Sequence, residues 1–81
     1  MIKVYSTETC SACNSAKAWL KDNNFEFESV MIDEDIDAAK LMMSRGLRTV
    51  PQIYIGEEHI GGWDDLRELG KVGIQQKIGG A

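Results

Sequence analysis

The feature that most constrains this chain is a strand, a helix and a second strand, in that order, within its first 32 residues. Residues Ile2 to Ser6 are rich in β-favouring side chains and predict a strand. Apolar side chains recur at helical spacing from Ser11 to about Asn23, and alternation returns from Phe25 to Ile32. Because strands joined by such a helix pair in parallel through a right-handed crossover, this segment predicts two parallel strands with a helix across one face.

The rest of the chain adds a helix, a hairpin and a final helix to this unit. Gly46 is suited to end the second helix in a left-handed conformation. The turn at Gly56-Glu57-Glu58 joins two antiparallel strands, and Asp64 or Asp65 is suited to cap the last helix, which ends near Gly70. The sequence thus predicts an α/β fold in a single domain of 81 residues, with a four-stranded mixed sheet flanked by helices. The other predicted elements are a helix around Ala38, Leu41 and Met42, strands at Pro51–Ile55 and His59–Gly61, and a short helix at Val72–Ile78.

Charge and hydropathy exclude two classes of partner. The net charge is −4 and the nine Lys and Arg residues are scattered, whereas nucleic-acid binding needs a basic stripe. No apolar run approaches the roughly 18 residues that a membrane-spanning helix needs. The first residues also lack the basic and then apolar layout of a secretion signal. We therefore expect a cytoplasmic protein that binds neither nucleic acid nor membranes.

The expected chemistry lies in the segment Cys10-Ser11-Ala12-Cys13, where the first strand has ended and the first helix begins. Two cysteines at this spacing and position are typical of a thioredoxin-like redox site. The unpaired N–H groups and the positive dipole at the start of a helix favour a thiolate on Cys10. Its sulfur is expected to accept hydrogen bonds from the N–H groups of Ala12 and Cys13. Cys13 lies one turn further along and is expected to be more buried, so Cys10 would attack and Cys13 would resolve.

The alternative interpretation of this motif is half of a structural zinc site. Structural zinc takes four ligands, and beyond the two cysteines the chain offers one histidine and scattered acidic residues, so we predict no metal. The histidine, His59, is interpreted as a surface or sheet-edge residue rather than an acid–base group. The acidic run Asp33–Asp37 is interpreted as helix capping and a solvated loop, and Tyr5 as a packing residue.

Two further motifs follow Cys10-Ser11-Ala12-Cys13 along the chain, namely Thr49-Val50-Pro51 and Gly61-Gly62-Trp63-Asp64-Asp65-Leu66. Taken in order, the three motifs resemble those of the glutaredoxins, and the resemblance spans essentially the whole chain. A single Cys-x-x-Cys is a weak signal, but three motifs at family-like spacing in a chain this short are specific. The form of the third motif is also similar to that of short glutaredoxins encoded by tailed phages, which would place the protein in the host cytoplasm.

The resemblance implies a thioredoxin-like fold and glutathione as co-substrate. It implies that the Val50–Pro51 peptide bond is cis and that the backbone of Val50 pairs with the cysteine portion of glutathione. At the last helix, the N–H groups of Trp63 and Asp64 would bind the γ-glutamyl carboxylate, as helix N-termini bind anions. Asp64 or Asp65 would face the ammonium group. The residues expected to bind glutathione are Arg48, Thr49, Val50, Pro51, Gly62, Trp63, Asp64 and Asp65, with Gly61 and Gly62 permitting its close approach.

The chain departs from the family pattern at three places. Ser11-Ala12 stands where many members have Pro-Tyr, and Thr7 stands where a basic residue is common. The position in the second helix that often contacts the glycine carboxylate of glutathione corresponds to Ala38. Because two customary contacts to that carboxylate are missing, we expect Arg48 to supply the positive charge.

These observations predict a monomeric dithiol glutaredoxin that reduces protein disulfides and glutathione mixed disulfides. Its protein partners would carry disulfides or bound glutathione, and the resemblance implies ribonucleotide reductase as an electron acceptor. Two alternatives stay open. One is a glutaredoxin-like protein recharged by thioredoxin reductase, and the other is a binding module in which two chains and two glutathiones hold a [2Fe–2S] cluster through Cys10.

Overall fold

The computed structural model describes residues 2–79, which form four strands and three helices. Their order is the predicted β-α-β-α-β-β-α. None of the helices in this part of the chain is long and apolar enough to cross a membrane. The elements are β1 (Ile2–Ser6), α1 (Ser11–Asp22), β2 (Phe27–Met31), α2 (Ile36–Ser44), β3 (Gln52–Ile55), β4 (Glu58–Gly61) and α3 (Trp63–Gly79).

The four strands form one mixed sheet in the order β2-β1-β3-β4, which confirms the predicted α/β architecture. β1 and β2 are parallel, whereas β1 pairs with β3 and β3 with β4 in antiparallel fashion. Because parallel strands end at the same edge of a sheet, the loop that follows β1 lies beside the loop that follows β2. The backbone N–H of Glu8 donates to the carboxylate of Asp33 at 3.2 Å and joins these two loops.

The end of α1 explains why β2 begins two residues later than the sequence predicts. Asn24 has a left-handed backbone, with φ of 62°. Its N–H donates to the carbonyl of Lys21 at 3.0 Å, and the N–H of Phe25 donates to that of Leu20 at 2.9 Å. These two bonds form a Schellman motif, so Phe25 belongs to the end of the helix and the strand begins at Phe27.

Glycines shape the ends of the other two helices. Gly46 has φ of 72° and its N–H donates to the carbonyl of Met43, while the N–H of Leu47 donates to that of Met42, which confirms Gly46 as the stop of α2. In α3, Gly70 has φ of 73° and ψ of 175°, so the helix is broken there into the two pieces that the sequence predicts.

Side chains pack on both faces of the sheet. One face is covered by α1 and α3, and the other by α2. Tyr5 lies in the smaller core, edge-on to Tyr54 with ring centroids 5.6 Å apart, which confirms its packing role. The larger core contains Ile2, Val4, Ala16, Leu20, Ile53, Ile55, Leu66 and Ile74, and the smaller one Tyr5, Ala38, Met42 and Tyr54.

Candidate active site

Cys10 is the N-cap residue of α1, with an extended backbone (φ −97°, ψ 111°). Its sulfur accepts a hydrogen bond from the N–H of Cys13 at 3.1 Å. The other predicted donor, the N–H of Ala12, makes no hydrogen bond to this sulfur within the described residues. The Cys10 thiol donates in turn to the carbonyl oxygen of Val50, with sulfur and oxygen 3.7 Å apart. A partly exposed sulfur thus lies between the start of a helix and the backbone of the second motif.

Cys13 is fully buried, at 0% exposure, one turn into the same helix. Burial, together with a hydrogen bond to the Cys10 side chain, raises the pKa of Cys13 to about 11. The backbone N–H of Thr7 and the charge of Lys17 act in the opposite direction but do not offset this increase in pKa. Cys13 is therefore a protonated thiol at neutral pH, and the predicted difference in burial between the two cysteines is confirmed.

The second motif lies between the first and the third. The Val50–Pro51 peptide bond is cis, as the resemblance implies. Val50 contacts Cys10 through its carbonyl, and the carbonyl oxygen of Pro51 lies 3.6 Å from the position that a Cβ atom on Gly62 would take. The structure thus brings together Cys10, Val50, Pro51 and Gly62, which are far apart in the sequence.

The start of α3 differs from the prediction that Asp64 or Asp65 caps it, which is wrong. The carbonyl of Gly62 accepts from the N–H of Leu66 at 3.0 Å, so Gly62 is the N-cap residue and both aspartates lie in the first turn. The carboxylate of Asp65 reaches back to accept the N–H of Gly62 at 2.9 Å. This is the reverse half of a capping box, and it leaves the N–H groups of Trp63 and Asp64 without acceptors inside the helix.

The two aspartates therefore have different surroundings. Asp65 is engaged with the backbone of Gly62, whereas the Asp64 side chain is 84% exposed and forms an ion pair with Arg67 on the next turn. The guanidinium of Arg67 also lies over the ring of Trp63, 5.3 Å from its centroid. Because exposed ion pairs are weak, Asp64 is the carboxylate that can exchange its partner for a ligand ammonium group.

Arg48 and Ala38, the two positions that the sequence analysis relates to the glycine carboxylate of glutathione, differ in burial. Arg48 is exposed, in the loop that precedes the cis bond, and has no ion pair among residues 2–79. Ala38 is 7% exposed and packs in the smaller core, and its N–H donates to the N-cap carboxylate of Asp35. The α2 side chain at this position thus faces the core, while the predicted capping role of the acidic run is confirmed at Asp35.

Comparison with known proteins identifies the family. The sequence model described as Glutaredoxin matches residues 2–60. The chain belongs to the glutaredoxin family. It is 42% identical to a probable glutaredoxin of Synechocystis over 74 residues (89% of this chain, 84% of that protein). It is also 42% identical to glutaredoxin 3 of Escherichia coli K12 over 69 residues (84% and 83%).

Solved structures agree with this assignment. A buckwheat glutaredoxin, crystallised as a complex with glutathione, superposes with a TM-score of 0.80 at 27% identity, over 95% of this chain and 74% of that one. The predicted thioredoxin-like fold of the glutaredoxins is thereby confirmed. The protein is a glutaredoxin-type thiol–disulfide oxidoreductase.

Two residues of this glutaredoxin site were not predicted from the sequence. Gln52 is buried next to Pro51, and its amide nitrogen donates to the carbonyl oxygen of Thr49 at 2.9 Å and to the hydroxyl of Thr49 at 3.2 Å. Its amide oxygen lies 2.6 Å from Nε2 of His59. His59 is exposed on β4, as predicted, but it also contacts this network. The sequence feature that could have indicated this network is Gln52 itself, an amide directly after Pro51 in a strand that is otherwise apolar.

The buried thiol of this glutaredoxin predicts selective alkylation. In the Cys10→Ser variant, Cys13 is expected to resist iodoacetamide at a pH of about 8, because burial, the largest cause of its raised pKa, remains when the Cys10 sulfur is removed. Its modification should increase as the pH rises above about 8. Intact mass measures the modified fraction, and the same variant in denaturant is the control. Equal rates for the folded and denatured variant at a pH of about 8 would contradict the burial of this sulfur.

The two glycines before α3 are expected to differ in their tolerance of a side chain. Gly61 has φ of 123°, and a Cβ there would lie 2.3 Å from the carboxylate oxygen of Asp65 that holds the Gly62 N–H. Gly61→Ala should therefore lower the free energy of unfolding by about 1–3 kcal/mol. Gly62→Ala should lower it less, by about 0.5–1 kcal/mol, since its Cβ makes an ordinary contact with Pro51 and only the preference for glycine over alanine at an N-cap is lost. Urea unfolding measures both, and equal losses would show that this cap does not depend on Gly61.

Proposed function

We propose that this glutaredoxin uses glutathione as its reductant and reduces both glutathione mixed disulfides and protein disulfides. In this proposal Cys10 is the attacking sulfur and Cys13 the resolving thiol. The observation that supports it best is the position of Cys10: an N-cap sulfur that accepts the Cys13 N–H and lies 3.7 Å from the Val50 carbonyl oxygen. Gly62, at the start of α3, lies next to Pro51. One small ligand could therefore contact both the Cys10 sulfur and the first turn of α3.

On a glutathionylated protein the reaction needs only Cys10. Its thiolate attacks the sulfur of the bound glutathione, a Cys10–glutathione disulfide forms, and the protein thiolate leaves and takes up a proton. A second glutathione thiolate then attacks the glutathione sulfur of that disulfide. Glutathione disulfide is released and Cys10 returns as a thiolate. The N–H of Cys13, which the Cys10 sulfur accepts at 3.1 Å, would favour the departure of Cys10 in the second step, because a hydrogen bond to a leaving sulfur stabilises the charge that it takes up.

On a protein disulfide both cysteines are needed. Cys10 attacks one sulfur of the target and releases the other as a thiolate, which leaves the target bound through a mixed disulfide. Cys13 loses its proton and attacks the Cys10 sulfur, so that the Cys10–Cys13 disulfide forms and the reduced target leaves. Two glutathione molecules then reduce this disulfide and become glutathione disulfide. Because burial raises the pKa of Cys13, the resolving thiol is protonated at neutral pH and has to lose its proton before it attacks.

The residues around the sulfur suggest one orientation for glutathione. Its cysteine portion would pair with the backbone of Val50, and its γ-glutamyl carboxylate would accept the N–H groups of Trp63 and Asp64, which have no acceptor inside the helix. Its ammonium group would replace Arg67 as the partner of Asp64. At the other end, Arg48 would supply the positive charge for the glycine carboxylate.

We propose the cytoplasm as the location, or the host cytoplasm for a phage-encoded chain, because a two-cysteine redox pair suits a reducing compartment. We also propose that the protein is a monomer, that its partners are proteins with disulfides or bound glutathione, and that ribonucleotide reductase is the electron acceptor.

The missing basic contacts at Thr7 and Ala38 favour thioredoxin reductase as the competing source of electrons. Reduction of the oxidised protein by glutathione, compared with reduction by that reductase, decides between the two. Visible absorption after anaerobic purification with glutathione would instead indicate the [2Fe–2S] module.

The two cysteines are expected to differ in what their loss removes. Cys10→Ser should bring both activities to background, because no attacking sulfur remains. Cys13→Ser should keep the removal of glutathione from a glutathionylated protein and lose the reduction of a protein disulfide, because only the second reaction needs a resolving thiol. Coupled assays with glutathione reductase measure both. Loss of both activities in Cys13→Ser would contradict the assigned roles.

The exposed charge of Arg48 predicts a salt-dependent contribution to glutathione binding. Arg48→Ala should raise the KM for glutathione about two- to fivefold at low salt, because an exposed ion pair contributes up to about 1 kcal/mol. The difference should shrink as salt is added. Lys21→Ala, at the far end of α1, removes an equal charge and is the matched control. An unchanged KM in Arg48→Ala at low salt would exclude Arg48 from the binding site.

A further inference from the structure

We propose that His59 is a positioning residue that orients the backbone N–H of Val50 through the side chain of Gln52. The ligand that benefits is the glutathione of the proposed function, on which this inference rests. His59 lies on β4, outside the three motifs, and does not contact either cysteine through any hydrogen bond in residues 2–79. Its effect on the reaction is therefore indirect.

The hydrogen bonds of Gln52 determine which atom of His59 carries a proton. A carbonyl oxygen can only accept, so the group that contacts the Thr49 carbonyl at 2.9 Å is the amide nitrogen of Gln52. The amide oxygen consequently faces the other way, toward Nε2 of His59 at 2.6 Å. That oxygen also only accepts. Nε2 of His59 is therefore the protonated nitrogen, and the histidine donates to Gln52.

The Thr49–Val50 peptide transmits this orientation to Val50. A peptide unit is planar, and in a trans unit the C=O and the N–H point in opposite directions. The cis bond in the described chain follows Val50, so the peptide between Thr49 and Val50 is trans. When Gln52 holds the Thr49 carbonyl, the Val50 N–H is consequently held pointing away from Gln52. This N–H is one of the two backbone groups proposed to pair with the cysteine portion of glutathione.

The local packing makes the contact between His59 and Gln52 strong enough to have this effect. Gln52 is 7% exposed, and hydrogen bonds in such low-dielectric surroundings are stronger than those in water. The imidazole of His59 is stacked on the ring of Tyr54, with centroids 4.8 Å apart and planes 27° apart. On the same strand pair, His59 lies directly opposite Tyr54 in register. The ring is thus held by stacking, while the hydrogen bond is a separate contribution.

Two substitutions separate these contributions. His59→Phe keeps a ring for stacking on Tyr54 and removes the donor to Gln52. His59→Gln removes the ring and keeps an amide donor. Because the side chain of residue 59 is exposed, both variants should fold, and thermal unfolding checks this. If the hydrogen bond positions Val50, His59→Phe should raise the KM for glutathione about two- to tenfold, the effect of losing one hydrogen bond. In this variant kcat should change little, and His59→Gln should restore most of the KM.

A spectroscopic measurement on the free protein tests the same inference without glutathione. Nitrogen-15 spectra should show His59 with its proton on Nε2, and the amide resonance of Val50 should shift in His59→Phe and return in His59→Gln. If glutathione is not the reductant, the KM comparison fails while this amide shift persists, which distinguishes the two proposals. The inference is overturned if the Val50 amide is unchanged in His59→Phe. It is also overturned if His59→Gln fails to restore it, because stacking would then be the cause.

Discussion

The site depends on one hydrogen bond, from the N–H of Cys13 to the sulfur of Cys10 at 3.1 Å. A helix must satisfy its first N–H groups, and here a sulfur does what a serine or aspartate oxygen usually does at an N-cap. The bond therefore contributes to the start of α1 and to the stability of a thiolate at the same time. Because α1 packs into the larger core through Ala16 and Leu20, the core holds this donor in place.

The rest of the site is assembled by the order of the strands. β1 is a central strand, with β2 on one side and β3 on the other, so the loop that carries Cys10 has neighbours on both sides. On the β2 side it is joined to Asp33 through the N–H of Glu8. On the β3 side it meets Val50, just before the strand begins. The start of α3 reaches the same region because the hairpin of β3 and β4 returns the chain to the level of Pro51.

Much of this arrangement follows from the sequence, and what does not has identifiable physical reasons. Features that depend on patterns close together in the sequence were predicted correctly. They are the parallel pairing of β1 with β2, the stop of α2 at Gly46 and the N-cap position of Cys10. The cis bond at Pro51 was expected only through the family resemblance. The start of β2 was misplaced because Asn24 took a left-handed backbone, and the cap of α3 was misassigned because Asp65 reached back to Gly62. These outcomes depend on backbone angles that side-chain patterns do not fix.

The contact between Gln52 and His59 was missed for a different reason. These residues are seven positions apart in sequence and become neighbours only through the pairing of β3 with β4, whose register is irregular between Ile53 and Tyr54. An irregular register moves a side chain by one position relative to its expected partner, so the pair could not be assigned by counting along the hairpin.

The break at Gly70 has a consequence for how this fold can vary. It divides α3 into a piece that presents its first turn to the active site and a piece that fills the core with Ile74 and pairs Lys77 with Glu58. In a continuous helix, an inserted residue would rotate one piece against the other by about 100° and force one of them out of place. A glycine joint absorbs that rotation. The piece after Gly70 can therefore change in length beyond its core contact at Ile74 without turning the first turn of α3 away from the active site.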